Sequence, residues 1–161
     1  MKISIPFRLS ALVPLFVLCT AALPPADTST RMTHLRFQVV PQPIPVGHVG
    51  TTEARFLITN VAQYEQLFGE GRITINFETE WALFYSAGLE PTTGYEASVL
   101  DVGYVPDTRQ LVFTTQLAAP GRNCVVNQML TMPYTVVKFP RPARRAEGVR
   151  YVTDDIVVDC R

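Results

Sequence analysis

The chain has 161 residues, 47% of them hydrophobic, with 14 basic and 14 acidic side chains. That length is enough for one domain with its own core. The even charge argues against a nucleic-acid binder, whose affinity comes mainly from basic contacts to phosphates.

The N-terminal stretch MKISIPFRLSALVPLFVLCTAALPPADTST has basic Lys2 and Arg8, an apolar run from Ala11 to Leu18, and then small residues. This is the three-part plan of a secretory signal peptide over residues 1–22, cut after Ala22, with Thr20 and Ala22 at the small-residue positions. A membrane-spanning helix needs about 20 apolar residues, and Pro14 interrupts this run. Lipoprotein processing would use Cys19, but Leu18 stands where a small residue is wanted, so ordinary cleavage is the preferred reading. Removing residues 1–22 leaves 12 basic and 14 acidic residues, a net charge of −2. The expected location is secreted or periplasmic.

Residues 23–50 read as an extended N-terminal segment, and residues 51–161 as the folded domain. Leu35–Val40 is a short strand candidate, and Pro41–Gly50 is irregular because its prolines remove ladder donors. Glu53–Asn60 alternates, with Ala54, Phe56 and Ile58 on one face. The next stretch, NVAQYEQLFGEG, predicts one helix of about two turns. Asn60 can cap it with Gln63 as its capping-box partner, Val61, Tyr64, Leu67 and Phe68 form its apolar stripe, and Gly69 can stop it.

The period then changes to two. Arg72–Phe77 places Ile73, Ile75 and Phe77 on one face and reads as a strand. Trp81–Gly88 is apolar on both faces, as a central strand would be. Tyr95–Val105 changes phase near Asp101, where Gly103 would mark a bulge. Gln110–Leu117, Cys124–Leu130 and Tyr134–Phe139 are further strands, and Arg150–Cys160 supplies one or two more. Close turn signals and a single helix predict a mainly antiparallel β domain, either a sandwich or a partly closed barrel.

Cys124 and Cys160 remain after signal cleavage, an even number in a chain bound for an oxidising space. A disulfide between them is the simplest reading; two separate buried thiols are the other. A metal site is weakly supported, because only His34 and His48 could join the two cysteines. No catalytic constellation emerges. Ser86 and Ser98 have no histidine signature beside them, and Glu78, Glu80, Glu90 and Glu96 read as solvated charges rather than an acid–base pair. Trp81, Phe84 and Tyr85 at strand spacing read as core. The basic cluster Lys138, Arg141, Arg144, Arg145 and Arg150 reads as a solvated loop rather than a partner patch. No cofactor is implied.

The order of features from residue 60 to residue 142 resembles the C-terminal domain family of the protease complex subunit PrcB. The matching pieces are Asn76-Phe77, Thr92-Thr93-Gly94-Tyr95, Pro120-Gly121, Thr131-Met132-Pro133-Tyr134 and Val136-Val137-Lys138. Asn76 replaces the family's usual Asp, and Thr93 its usual small residue. The resemblance implies a bacterial, extracytoplasmic, non-enzymatic accessory domain whose partner is another protein, a protease by analogy with the founding member. Pro91-Thr92-Thr93-Gly94-Tyr95 is then the candidate partner-binding loop, or simply a turn needing a positive-φ glycine. The same stretch is similar to the first loop of chagasin-type cysteine-protease inhibitors. Glu90 stands where those have Asn, Ala119–Cys124 is a poor second loop, and Arg141-Pro142 lacks the following aromatic. Inhibition is therefore the alternative function, and a purely structural envelope role is a third.

Overall fold

The computed structural model describes residues 31–41, 45–47, 51–71 and 73–160. The expected signal peptide, residues 23–30 and His48 lie outside the described residues. Among the described residues nine strands and one helix follow in chain order. They are β1 (Thr33–His34), β2 (Gln38–Val39), β3 (Ala54–Ile58), α1 (Val61–Phe68), β4 (Glu80–Ser86), β5 (Glu96–Val105), β6 (Gln110–Pro120), β7 (Tyr134–Pro140), β8 (Gly148–Thr153) and β9 (Ile156–Val158). They form two sheets. One has the order β1-β5-β6-β8, with β9 continuing beside β6; the other has the order β2-β7-β4-β3. The described strands form no ladder between the sheets, so of the two expected architectures the sandwich is the one formed.

The two apolar faces of β4 have separate destinations. Trp81 and Leu83 meet Val99, Val102, Leu111, Phe113, Val137 and Phe139 in the core between the sheets. Ala82 and Phe84 face outward, where Tyr64, Leu67 and Phe68 of α1 cover them together with Ile58 and Val136. The second sheet is thus buried on both faces, as the continuous apolar run predicted. The helix is set by its ends. The Asn60 side chain accepts from the Gln63 N–H at 2.9 Å, and Gly69 closes it at φ 76°. Gln63 reaches one residue further back than a standard capping box, accepting from the Thr59 N–H at 2.8 Å.

Several expected strands are different in the fold. The expected strand Arg72–Phe77 does not form over its described part: residues 73–76 pack irregularly, with Ile75 buried against the α1 cluster and Ile73 and Phe77 beside it. The edges of β4 are already taken by β3 and β7, so the alternating pattern serves packing alone. Cys124–Leu130 is likewise irregular, because β6 already has β5 on one side and β8 and β9 on the other. Within the expected strand Leu35–Val40 only Gln38–Val39 pairs, as β2 on β7; β1 (Thr33–His34) precedes that span and pairs with β5, so the chain passes from one sheet to the other between them. The phase change in β5 falls between Val99 and Asp101, not at Gly103. At Gly103 an added Cβ would meet the Met32 side chain, which would have to shift.

The final strands depart from the antiparallel expectation: β8 and β9 both run parallel to β6. The chain leaves β6, passes through β7 in the other sheet, and returns to the first sheet through residues 141–147. A parallel neighbour requires such a crossover. The Asp155 carboxylate bridges the gap between β8 and β9 by accepting from the Leu117 N–H at 2.9 Å. The register holds across the gap, with Thr115 opposite Thr153 and Ala118 opposite Ile156.

Candidate partner-binding end

The loop 91–95 lies past the end of β4 and is fastened to the segment 121–133. Glu90 and Thr131 exchange backbone hydrogen bonds at 2.8 and 2.9 Å. The Thr131 hydroxyl donates to the Thr92 carbonyl at 2.8 Å. The Thr93 N–H donates to the Asn127 carbonyl at 3.0 Å, and the Thr93 hydroxyl accepts from the Asn127 N–H at 3.0 Å. The two segments therefore hold each other without either being a strand. Gly94 has φ 96°, and a Cβ there would stand 3.3 Å from both Pro120 and Val126. This is the positive-φ turn expected of it. Pro91 is exposed, Tyr95 is half-buried, and β5 begins just after, at Glu96.

Cys124 and Cys160 are disulfide-bonded, with their Cα atoms 4.9 Å apart. The bond ties the 121–133 segment to the end of β9. The Asn123 side chain doubles the tie: its amide donates to the Cys160 carbonyl at 2.6 Å and its oxygen accepts from the Cys160 N–H at 3.3 Å. Gly121 adds a backbone bond to the Val158 carbonyl at 2.8 Å. Both of these cysteines are thereby used, and His34 meets the Asp101 carboxylate at 2.9 Å; His48, the fourth residue considered for a metal, lies outside the described residues.

Several apolar side chains on these tied segments are exposed. Val125 is fully exposed, and Met129, Leu130 and Val157 are 58%, 70% and 72% exposed. A depression of about 150 Å³ is lined by Thr93, Gly94, Pro120, Val125, Val126 and Val158 beside the disulfide. Isolated exposed aliphatics are ordinary on a protein surface; here four exposed apolar side chains lie on the two disulfide-linked segments. Sequence reasoning found the loop and the disulfide but placed Cys124–Leu130 in a strand. Its alternating apolar residues were the available signal.

Arg55 braces this end from behind. From β3 its guanidinium crosses to the other sheet, donating to the Thr115 hydroxyl at 3.1 Å and the Thr153 hydroxyl at 3.0 Å. It pairs with Glu53 at 2.6 Å and lies over the rings of Tyr85 and Tyr151, at 4.9 and 5.9 Å. Burial pushes both tyrosine hydroxyls above their ordinary pKa, and the Arg55 charge offsets part of that rise.

The four carboxylates noted in the sequence do not converge. Glu78 and Glu80 stand at the start of β4, whereas Glu90 and Glu96 lie beyond its other end. Among the described residues no group of three or more His, Cys, Asp or Glu is placed to hold a metal ion.

Residues 82–140 match the family described as PrcB C-terminal. The PrcB C-terminal match runs from within β4 to the end of β7, across the four strands that bury the inter-sheet core, and includes both the 91–95 loop and the 121–133 segment. It begins later than the resemblance read from the sequence, leaving out α1 and the Asn76-Phe77 turn. No curated protein and no solved structure gives a significant match. No helix among the described residues is long and apolar enough to cross a membrane, and the disulfide is compatible with an extracytoplasmic location.

Proposed function

We propose that this protein is a secreted or periplasmic, non-enzymatic accessory protein that binds another protein through the disulfide-tied end. The carrying observation is the set of exposed aliphatic side chains on a backbone already fixed by hydrogen bonds and a disulfide. Such a surface loses little conformational freedom on binding, so less of the contact energy is offset by ordering. The PrcB C-terminal match supports a protease or another subunit of a protease complex as the partner class.

The inhibitor alternative has less support from the geometry. β4 and β7 run antiparallel, pairing Ser86 with Tyr134 and Glu80 with Pro140. The 91–95 loop follows Ser86, while Arg141-Pro142 follows Pro140, so the first and third inhibitor-like loops lie at opposite ends of the sandwich. They cannot enter one active-site cleft together.

The test is affinity capture from the extracytoplasmic fraction of the producing cell, comparing the wild-type chain with a Val125→Asp/Met129→Asp variant. Both side chains are exposed, so the variant should fold. The reading expects a defined protein held by the wild type and released by the variant, and no inhibition of papain-like proteases at micromolar concentration. Capture that is unaffected by the double substitution would contradict the assigned surface. Competitive inhibition of a papain-like protease would favour the alternative function.

A further inference from the structure

The other end of the sandwich carries a second feature. A cavity of about 490 Å³ opens between the sheets there, lined by Leu57, Thr59, Trp81, Arg141, Arg145 and the residues that lead into β8. Its volume lies in the range of small-molecule sites. Trp81 is the only tryptophan of the chain, and the Arg141 guanidinium lies over its ring at 5.6 Å. The Arg141 backbone is fixed by its N–H, which donates to the Thr79 carbonyl at 2.8 Å.

The charge balance of the cavity is uneven. Glu147 is its acidic lining residue, and Arg109 already engages that carboxylate at 2.6 Å. Glu78 borders an adjoining depression with Arg141 and Arg145, yet neither arginine forms an ion pair with it or with any other described carboxylate. Two guanidiniums thus face a partly apolar cavity with their charge unmatched. Arginine presents a planar fork of donors that suits a carboxylate, and stacking on the indole holds that fork in place beforehand.

We propose that this cavity binds an organic carboxylate: the anionic group meets Arg141 and Arg145, and an apolar body lies against Leu57 and the Trp81 edge. The source of the carboxylate is either a small acid or the free C-terminus of a peptide, and both present the same chemistry. The basic stretch that reads from sequence as a solvated loop becomes a ligand site because the crossover to β8 brings it alongside Trp81. This site is independent of the disulfide-tied end and of the function assigned to it.

The lone indole supplies the readout. Fluorescence of the purified protein is titrated with 3-phenylpropionate, its neutral amide, inorganic phosphate, and a short apolar peptide in free-acid and amide-capped forms. The expected result is a saturable change with 3-phenylpropionate and the free-acid peptide, and at least about tenfold weaker binding of the uncharged forms. Tighter binding of the free-acid peptide than of 3-phenylpropionate identifies a peptide terminus as the natural source; the reverse order identifies a small acid. Arg145→Ala should weaken binding by about tenfold, the loss of one charge-assisted contact, without shifting the thermal midpoint. Arg141→Lys, which keeps the charge but loses the planar fork, should also weaken it. Equal responses to acid and amide, phosphate binding as tight as the carboxylates, or an unaltered affinity in Arg145→Ala would each overturn the proposal.

Discussion

Arg55 shows how much a single side chain can organise in this fold. It gives the buried Thr115 hydroxyl a hydrogen bond, ties Thr153 of β8 to β3, and fills the space between two tyrosine rings. Replacing it with methionine keeps the volume but removes both bonds; the Thr115 hydroxyl still donates to the Val152 carbonyl at 3.4 Å and Thr153 is exposed to water, so the loss is that of the bonds themselves, about 1–3 kcal/mol for the two together. Arg55→Met is therefore expected to lower stability by that order in urea unfolding, and Arg55→Lys to recover little, because one ammonium cannot reach both threonines from the plane between the rings. Glu80 offers a pH test. Burial raises its pKa, but the Asn76 backbone N–H and Lys138 outweigh that and hold it below the ordinary carboxylate value. A carboxylate depressed in the folded state adds stability above its unfolded pKa and loses it as pH falls through the folded value. Wild type should thus exceed Glu80→Gln at neutral pH by no more than about 1 kcal/mol, the range of partly exposed pairs, and the gap should close as the medium is acidified below the ordinary carboxylate pKa. A gap that stays constant down to the acid limit would contradict the role given to this pair.

The elements that were legible in the sequence are those whose pattern has one physical meaning. The apolar run of β4 could only be a strand covered on both faces, and α1 announced itself through Asn60, its stripe and Gly69. Val61 is the exception in that stripe, being substantially exposed at the first turn. The segments that misled were alternating runs that join no sheet. Ile73, Ile75 and Phe77 pack beneath α1 without a ladder, and Val125 and Val126 border a surface depression. Alternation reports which side chains share a face, and says nothing of whether a neighbouring strand position is vacant. The parallel pairing of β8 and β9 was equally invisible, because it is set by the path through β7. At this scale the disulfide makes a separate prediction. It closes a span of 36 residues, which the chain-entropy treatment values at roughly 4 kcal/mol. Cys124→Ser/Cys160→Ser should lose stability of that order and show fast amide exchange across β9, while β4 and β7 stay protected. Intact mass under non-reducing conditions should be two hydrogens short; two freely alkylated thiols in native material would refute the bond.

Across the whole molecule the sandwich separates two kinds of surface. Its middle is committed to packing, with both faces of the β2-β7-β4-β3 sheet covered. One end holds a disulfide-tied pair of irregular segments with exposed aliphatics, and the other an arginine-lined cavity beside Trp81. The candidate loop was visible in the sequence because proline and glycine punctuate it; its anchoring to Asn127 and Thr131 was not, because that depends on where the chain returns after β6. The central claim is that the disulfide-tied end meets a protein partner. It is tested most directly by placing a photo-reactive residue at position 125 and, as a control, at the exposed helix position 66, in cells that make the protein. The account predicts a discrete cross-linked protein adduct from position 125 and none from position 66. An adduct from position 66 with nothing from position 125 would place the partner on the helix side and contradict it.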